Sequence, residues 1–358
     1  MSARRGWARP LVPLYAAGLR VKEALRREPK KLQWPVVSVG SLSAGGAGKT
    51  PVVIALAGLL KDAGWRVDVL SRGYGRDGGE VEAVNVGAGG AERFGDEPVL
   101  IAERTGVPVF VGASRFAAGV AAEPKTGAPC ASEKQVPRFA RNDNQKSNNN
   151  HLHLLDDGFQ HRQLARAVDV VVITAEDLDD VLIPAGNLRE PLGALARADV
   201  VIVREDEVES VAKRVWPLLR ERAQIWVVRR RLRFPAPLFV FGAGLRPVAF
   251  CGLARPEGFA AMLAEAGCGV VETVAFQDHR RYTAADMGRV VEVAKGLNAT
   301  GFVTTEKDAV KLSAAMRARL EALGPLMVVA LEAEFDDSGA VLRALEAMLA
   351  AGVSEASA

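Results

Sequence analysis

The feature that most constrains this chain is the stretch Val36–Pro51, VVSVGSLSAGGAGKTP. A β-branched run, Val36-Val37-Ser38-Val39, leads into a glycine-rich turn, then Lys49-Thr50, then an apolar pattern from Val52 to Leu60 at helical spacing. Strand, glycine loop, Lys-Thr and helix in that order are what a phosphate-binding loop requires. Gly45, Gly46 and Gly48 let backbone N–H groups curl around a triphosphate without Cβ clashes. The Lys49 ammonium can reach the β- and γ-phosphates, the Thr50 hydroxyl can ligate Mg2+, and the positive end of the helix faces the anion. The strict G-x-x-x-x-G-K-S/T spacing asks for glycine where Ser43 stands. Ser43, Ala44, Gly45, Gly46, Ala47, Gly48, Lys49 and Thr50 are the candidate nucleotide contacts, and the chain reads as a nucleotide-binding protein.

At 358 residues there is room for two cores. Strand patterns at Arg66–Leu70, Val107–Val111, His151–Leu155, Val168–Thr174 and Asp199–Val203 alternate with helical ones. These β-α repeats predict an α/β fold, a P-loop NTPase-like doubly wound parallel sheet over residues 32–223. Residues 224–234 read as linker strands crossing to a second, smaller α/β domain, 235–348, with strands at Val248–Cys251, Val270–Phe276, Gly301–Thr305 and Met327–Leu331. Residues 123–150, rich in Pro, Asn, Ser, Lys and Gln and without periodicity, predict a disordered insertion. Cys130 falls inside it, and Cys251 and Cys268 stand apart with no metal spacing, which fits a reducing cytosol.

Charge is unevenly spread. Residues 1–31 carry nine Lys/Arg against two acids, so the net +3 of the whole chain conceals a basic N-terminal arm and a mildly acidic remainder. That balance does not indicate a nucleic-acid binder. Leu11, Leu14, Gly18, Val21 and Leu25 alternate at spacings of three and four, opposite Arg20, Lys22, Arg26 and Arg27, with Trp7 just ahead. This is a basic amphipathic helix, and spacing alone leaves open whether it lies on a membrane surface or packs on the domain. No apolar run is long enough to span a bilayer.

Other candidates come from position. Arg72, Tyr74 and Arg76 follow a strand's carboxyl end, where α/β sheets bind ligands, and Arg115 opens a helix. The short apolar run ending in Asp156-Asp157 reads as a Walker B strand, its carboxylate facing Mg2+ opposite Thr50. His151 and His153 read as solvated edge residues beside the polar insertion. From spacing alone Asp96 is a helix cap and His279 a structural histidine.

Taken together, GSLSAGGAGKTP, SRGYGR, GDEPVLIA, LLDDGFQHR, PAGNLREP, FCGLARPEGF, FQDHRRY and FVTTEKDAVK, in this order, resemble the tetraacyldisaccharide 4'-kinase family of lipid A biosynthesis. The resemblance covers roughly residues 7–331 apart from the insertion. It implies a membrane-associated P-loop kinase at the cytoplasmic face of the bacterial inner membrane. It further implies transfer of the γ-phosphoryl of ATP, with Mg2+, to the 4'-hydroxyl of tetraacyldisaccharide 1-phosphate, a lipid A disaccharide precursor, giving lipid IVA. By residue it implies Lys49 and Thr50 as Walker A, Asp156 and Asp157 as Walker B, Glu190 as an acid near the metal, and Asp96 as catalytic carboxylate oriented by His279. Arg72, Tyr74, Arg76 and Arg115 remain candidate substrate contacts. The N-terminal helix then points to the membrane surface; nothing in the sequence fixes an oligomeric state.

The alternative is a membrane-associated P-loop ATPase switch of the partition or septum-site type. That class places a signature Lys early in the loop, where this chain has Ser43 and Ala44. Hydrolysis without lipid would mark the switch, and phosphate on a lipid disaccharide the kinase.

Overall fold

The computed structural model describes residues 6–73, 76, 79–87, 90–123, 150–235 and 244–356. Helix α1 (Val12–Ala24) precedes the phosphate-loop unit, β1 (Val36–Ser41) and α2 (Lys49–Asp62). There follow β2 (Arg66–Ser71), β3 (Glu82–Ala83), α3 (Gly90–Phe94), α4 (Asp96–Thr105), β4 (Val109–Val111) and α5 (Arg115–Ala122). Then come β5 (His151–Asp156), β6 (Val168–Val172), α6 (Ala175–Leu178), β7 (Val200–Arg204), α7 (Val208–Val215) and β8 (Gln224–Arg233). The remainder is β9 (Pro247–Cys251), α8 (Pro256–Glu265), β10 (Glu272–Ala275), α9 (Ala284–Gly296), β11 (Gly301–Thr305), α10 (Glu306–Ala309), α11 (Ala314–Glu321), β12 (Leu326–Phe335) and α12 (Ser338–Ala356).

β1 is buried along its whole length and pairs in parallel with β5 on one side and β6 on the other. A strand covered on both faces must be apolar throughout, which is why Val36, Val37 and Val39 appear as a run rather than alternating. The sheet order is β10-β9-β11-β12-β8-β7-β6-β1-β5-β2-β4-β3. The chain winds outward from β1 in both directions, through β2 and β4 on one side and through β6 and β7 on the other. The crevice at the carboxyl end of β1 is therefore a switch point of a doubly wound sheet, the place such folds bind ligands.

β8 is one unbroken ten-residue strand rather than a strand pair. Its first half, Gln224–Val228, pairs parallel to β7, and its second half, Val228–Arg233, pairs antiparallel to Ala330–Phe335 of β12. β9, β10 and β11 run parallel to β12. The second set of strands thus runs opposite to the first, and the carboxyl ends of the two sets face each other across the molecule. The loops after β9, β10 and β11 arrive opposite the phosphate loop for this reason.

Two sequence expectations change. β5 lies between β1 and β2, not at an edge, so His153 is fully buried, with Nε2 3.5 Å from Glu123 and Nδ1 3.8 Å from Asp68. His151 instead stacks on Trp34, with ring centroids 4.2 Å apart. α12 leaves the second set: Val341, Leu345 and Leu349 join Val52, Leu56 and Leu60 of α2 in one apolar cluster, and the Trp65 indole donates to Glu346 at 3.1 Å. The expected unit 235–348 therefore does not keep its last helix to itself. The N-terminal helix touches the domain along one side, through Tyr15 on the Arg189 carbonyl and Glu23 paired with Arg162. α1 has no buried residue, and Leu14, Val21 and Leu25 stand in solvent with Trp7. The expected insertion lies outside the described residues except for Glu123 and Asn150, and so do Cys130 and Tyr74.

Because α12 completes the apolar layer over α2, Leu345→Ala destabilises the nucleotide-binding half by about 2–5 kcal/mol, the usual cost of a cavity at a fully buried leucine. Denaturant unfolding monitored by tryptophan fluorescence checks it.

Candidate active site

The phosphate loop holds Gly45, Gly46 and Gly48 at φ of 85°, 75° and 85°, a region that side chains disfavour. Gly48 precedes α2 without a side-chain cap, so the first N–H groups of α2 are left for a ligand. Ser43 is not at positive φ, which is why serine is tolerated where the strict pattern has glycine. It is buried with its Oγ unpartnered among the described residues and does not line the cleft, and the Ala44 N–H donates to the Asn187 carbonyl at 2.8 Å. Of the eight expected nucleotide contacts, Ala44 to Thr50 line the cleft and Ser43, which is buried, does not. Lys49 Nζ donates to Ser41 Oγ at 3.1 Å and sits 3.3 Å from Asp157 Oδ1.

The two Walker B carboxylates differ. Asp156 at the tip of β5 accepts from Ser71 Oγ at 2.9 Å and leaves Oδ1 buried with no hydrogen-bond partner among the described residues. Burial, with the charges of Glu97 and Asp157, pushes its carboxyl up to about 7. For Asp157, burial is outweighed by Lys49 and by Arg189, whose Nη1 donates to Oδ2 at 2.8 Å, and the carboxyl is held down. Asp157 takes φ of 50°, a strained backbone at the head of the cleft. Glu190 lines the same cleft and pairs with Arg197 at 2.7 Å.

Asp96 is the first residue of α4 and 6% exposed. His279, on the loop after β10 at φ of 58°, donates from Nδ1 to Asp96 Oδ1 at 3.2 Å. The Glu97 N–H donates to the same oxygen at 3.0 Å, and Oδ2 has no hydrogen-bond partner among the described residues. Burial alone would raise this carboxyl, but the His279 bond and the charges of Lys307, His279 and Lys311 hold it at about 2. The same bond raises His279 against its own burial. Two residues 183 positions apart meet here, each carried by one of the facing strand sets.

Phosphate loop, Walker B tips, Glu97, Glu190, His279 and α1 line one cleft of about 2300 Å³. Arg72 and the buried Arg115 line it as well. Arg76 turns away, to the carbonyls of Val111 and Glu80 and to Glu82, and does not line the cleft. Sequence reasoning gave no role to Arg189, Asp278, Arg255 or Lys307. Asp278 approaches the loop so closely that a Cβ on Gly45 would lie 3.6 Å from its Oδ2, and Arg255 packs 3.0 Å from where a Gly46 Cβ would sit. All four fall inside the motifs quoted for the resemblance; what could have found them was their charge within those segments.

A doubly wound sheet, a phosphate loop at its switch point and a carboxylate–imidazole pair facing that loop define a P-loop phosphotransferase. The family model for tetraacyldisaccharide-1-P 4'-kinase, LpxK, matches residues 5–350. The chain is 39% identical over 344 residues to a tetraacyldisaccharide 4'-kinase of Koribacter versatilis, covering 93% of this chain and 96% of that one. It is 36% identical over 296 residues to the namesake enzyme of Neisseria meningitidis, covering 80% and 76%. A solved structure of LpxK from Aquifex aeolicus, described as an apo form in complex with ATP, superposes with a TM-score of 0.70 at 27% identity, covering 96% and 99%. This chain belongs to the tetraacyldisaccharide-1-P 4'-kinase family. The partition-type switch finds no support in these comparisons.

The buried Asp156 carboxylate costs stability as pH rises from its unfolded value near 3.8 through about 7, and the cost is complete above that. Asp156→Asn therefore stabilises the ligand-free protein at pH 8 by about 1 kcal/mol or more and leaves it unchanged at pH 4. Thermal unfolding at the two pH values checks both.

Proposed function

We propose that this chain transfers the γ-phosphoryl group of ATP to the 4'-hydroxyl of a tetraacyldisaccharide 1-phosphate, giving lipid IVA, at the cytoplasmic face of the inner membrane. The observation that carries the reading is the Asp96–His279 hydrogen bond held opposite the phosphate loop. Lys49 and the loop amides take up the triphosphate's charge, and Asp157 keeps Lys49 aimed into the cleft. The sugar hydroxyl gives its proton to Asp96, whose Oδ2 is the unengaged acceptor. A carboxylate at about 2 does not deprotonate an alcohol beforehand; it takes the proton late, as the new O–P bond makes the hydroxyl acidic. His279 and the Glu97 N–H occupy Oδ1 and leave Oδ2, itself buried, as the free acceptor.

The donor set suits Mg2+. Asp156 presents a buried carboxylate oxygen lacking a protein partner, and Thr50 lines the cleft nearby at the head of α2. Glu190 and Asp157 are engaged by arginines, and among the described residues no cluster of three His, Cys, Asp or Glu is suited to a metal. That agrees with a cation that keeps waters and phosphate oxygens as most of its ligands. Bound there, Mg2+ would neutralise phosphate charge. Arg72 and Arg115 supply positive charge beside the cleft for an anionic substrate. The division into an N-terminal helix, 1–31, a kinase domain, 32–223, a crossing strand and a smaller domain, 235–348, is part of this reading, with α12 reassigned to the kinase core.

α1 joins cleft and bilayer. Its Tyr15 hydroxyl donates to the Arg189 carbonyl at 3.0 Å, while Trp7, Leu14, Val21 and Leu25 face outward among basic residues. An apolar stripe with cationic flanks is suited to lie in an anionic membrane surface, and no helix among the described residues is long and apolar enough to cross one. The lipid's acyl chains can then stay in the bilayer while its sugar enters the cleft.

Asp96→Ala lowers turnover by roughly 10²–10⁴-fold, the scale of a lost general base, with ATP binding retained. Mass spectrometry of the disaccharide product and nucleotide titration check the two halves of that statement, and near-normal turnover would remove Asp96 from the mechanism. Leu14→Glu combined with Leu25→Glu reduces sedimentation with phosphatidylglycerol-containing vesicles without changing thermal stability, since neither residue is buried.

A further inference from the structure

The segment FVTTEKDAVK has so far supplied only charge beside Asp96, yet it stands at the contact between the two strand sets. Lys307, on α10, places Nζ 3.3 Å from Glu97 Oε1 and 3.2 Å from Asp278 Oδ1. Glu97 follows Asp96 on α4, and Asp278 precedes His279 on the loop after β10. One ammonium therefore grips both neighbours of the pair that bonds at 3.2 Å. Adjacent side chains extend the grip. Glu306 accepts from Arg104, in the last turn of α4, at 2.8 Å, so consecutive residues of α10 fasten both ends of α4. Asp308 is fully buried and accepts from the Gly252 N–H at 3.0 Å and the Tyr282 hydroxyl at 2.8 Å, rooting α10 in the second strand set. Without Lys307, the Glu97 carboxylate would stand near Asp156, with Lys49 to offset it, and Asp96 would keep only Lys311 and His279. Lys311 is already paired with Asp308 at 2.7 Å.

We propose that Lys307 is a positioning residue for the reaction: it holds Asp96 and His279 in register across the cleft, acting through them and not on the substrate. Burial works against its charge, but Glu97, Asp96 and Asp278 more than offset this and keep it an ammonium. A clamp of this kind alters how often the carboxylate is correctly aimed, not how tightly the triphosphate is held, so its loss is read in kcat.

The inference rests on the kinase reading above, and one set of assays separates the two. Full-length wild type, Asp96→Ala, His279→Ala, Lys307→Met, Lys307→Arg and the double variant Lys307→Met/His279→Ala are given ATP and tetraacyldisaccharide 1-phosphate. Lys307→Met is expected to lose roughly 10- to 100-fold in kcat with KM for ATP within about threefold of wild type. Lys307→Arg is expected to recover most of that loss. The double variant is expected within about threefold of His279→Ala alone, because both changes act on the same carboxylate. Multiplicative losses in the double variant, a change confined to KM, or an Arg variant as slow as the Met variant would each overturn the proposal. If Lys307→Met does not fold, Lys307→Gln takes its place in the same comparison. Wild-type transfer with unimpaired Lys307→Met would remove this inference alone; no transfer by wild type would remove the kinase reading, and the inference with it.

Discussion

The antiparallel junction of β8 and β12 is the constraint on which the site depends. A parallel sheet gathers its loops at one edge, and a second parallel sheet continuing in the same direction would put its loops beside the first set. Reversal at β12 turns the second set around, so that carboxyl ends meet carboxyl ends. The phosphate loop then faces loops that carry Ala254, Arg255, Asp278 and His279. The phosphate loop and Asp96 on one wall can meet His279 from the other only because β12 reverses direction against the outer half of β8.

Electrostatics at the cleft follow from that meeting. Five carboxylates, Asp96, Glu97, Asp156, Asp157 and Asp278, converge with Lys49, Arg189, Lys307 and Lys311. Asp96 and Asp157 are held low by the partners they touch, while burial, with the charges of Glu97 and Asp157, holds Asp156 high. Two neighbouring aspartates from the same strand tip thus take different roles through their environments alone.

Much of the site was legible in the sequence where local geometry and chemistry coincide. The glycines and Lys49-Thr50 have to sit between strand and helix, and they do. Asp96 and His279 were not legible from spacing: a carboxylate at a helix start reads as a cap, and a lone histidine after a strand as structural. Only contact across 183 positions brings them together, and that pairing entered through family resemblance. The burial of His153 was missed because strand order, not local pattern, decides which strand is an edge. Arg76 was misplaced because an arginine beside a crevice can turn back onto its own loop.

α12 has a consequence for how such a chain comes into being. It follows every strand of the sheet in the chain, yet its Val341, Leu345 and Leu349 cover α2, the helix that begins at the phosphate loop. A ribosome that has finished every strand flanking β1 has still left an apolar stripe of α2 in water. The nucleotide pocket's supporting helix receives this cover only when residues 341–349 emerge, so the first-made half completes its packing only after the second strand set has been translated.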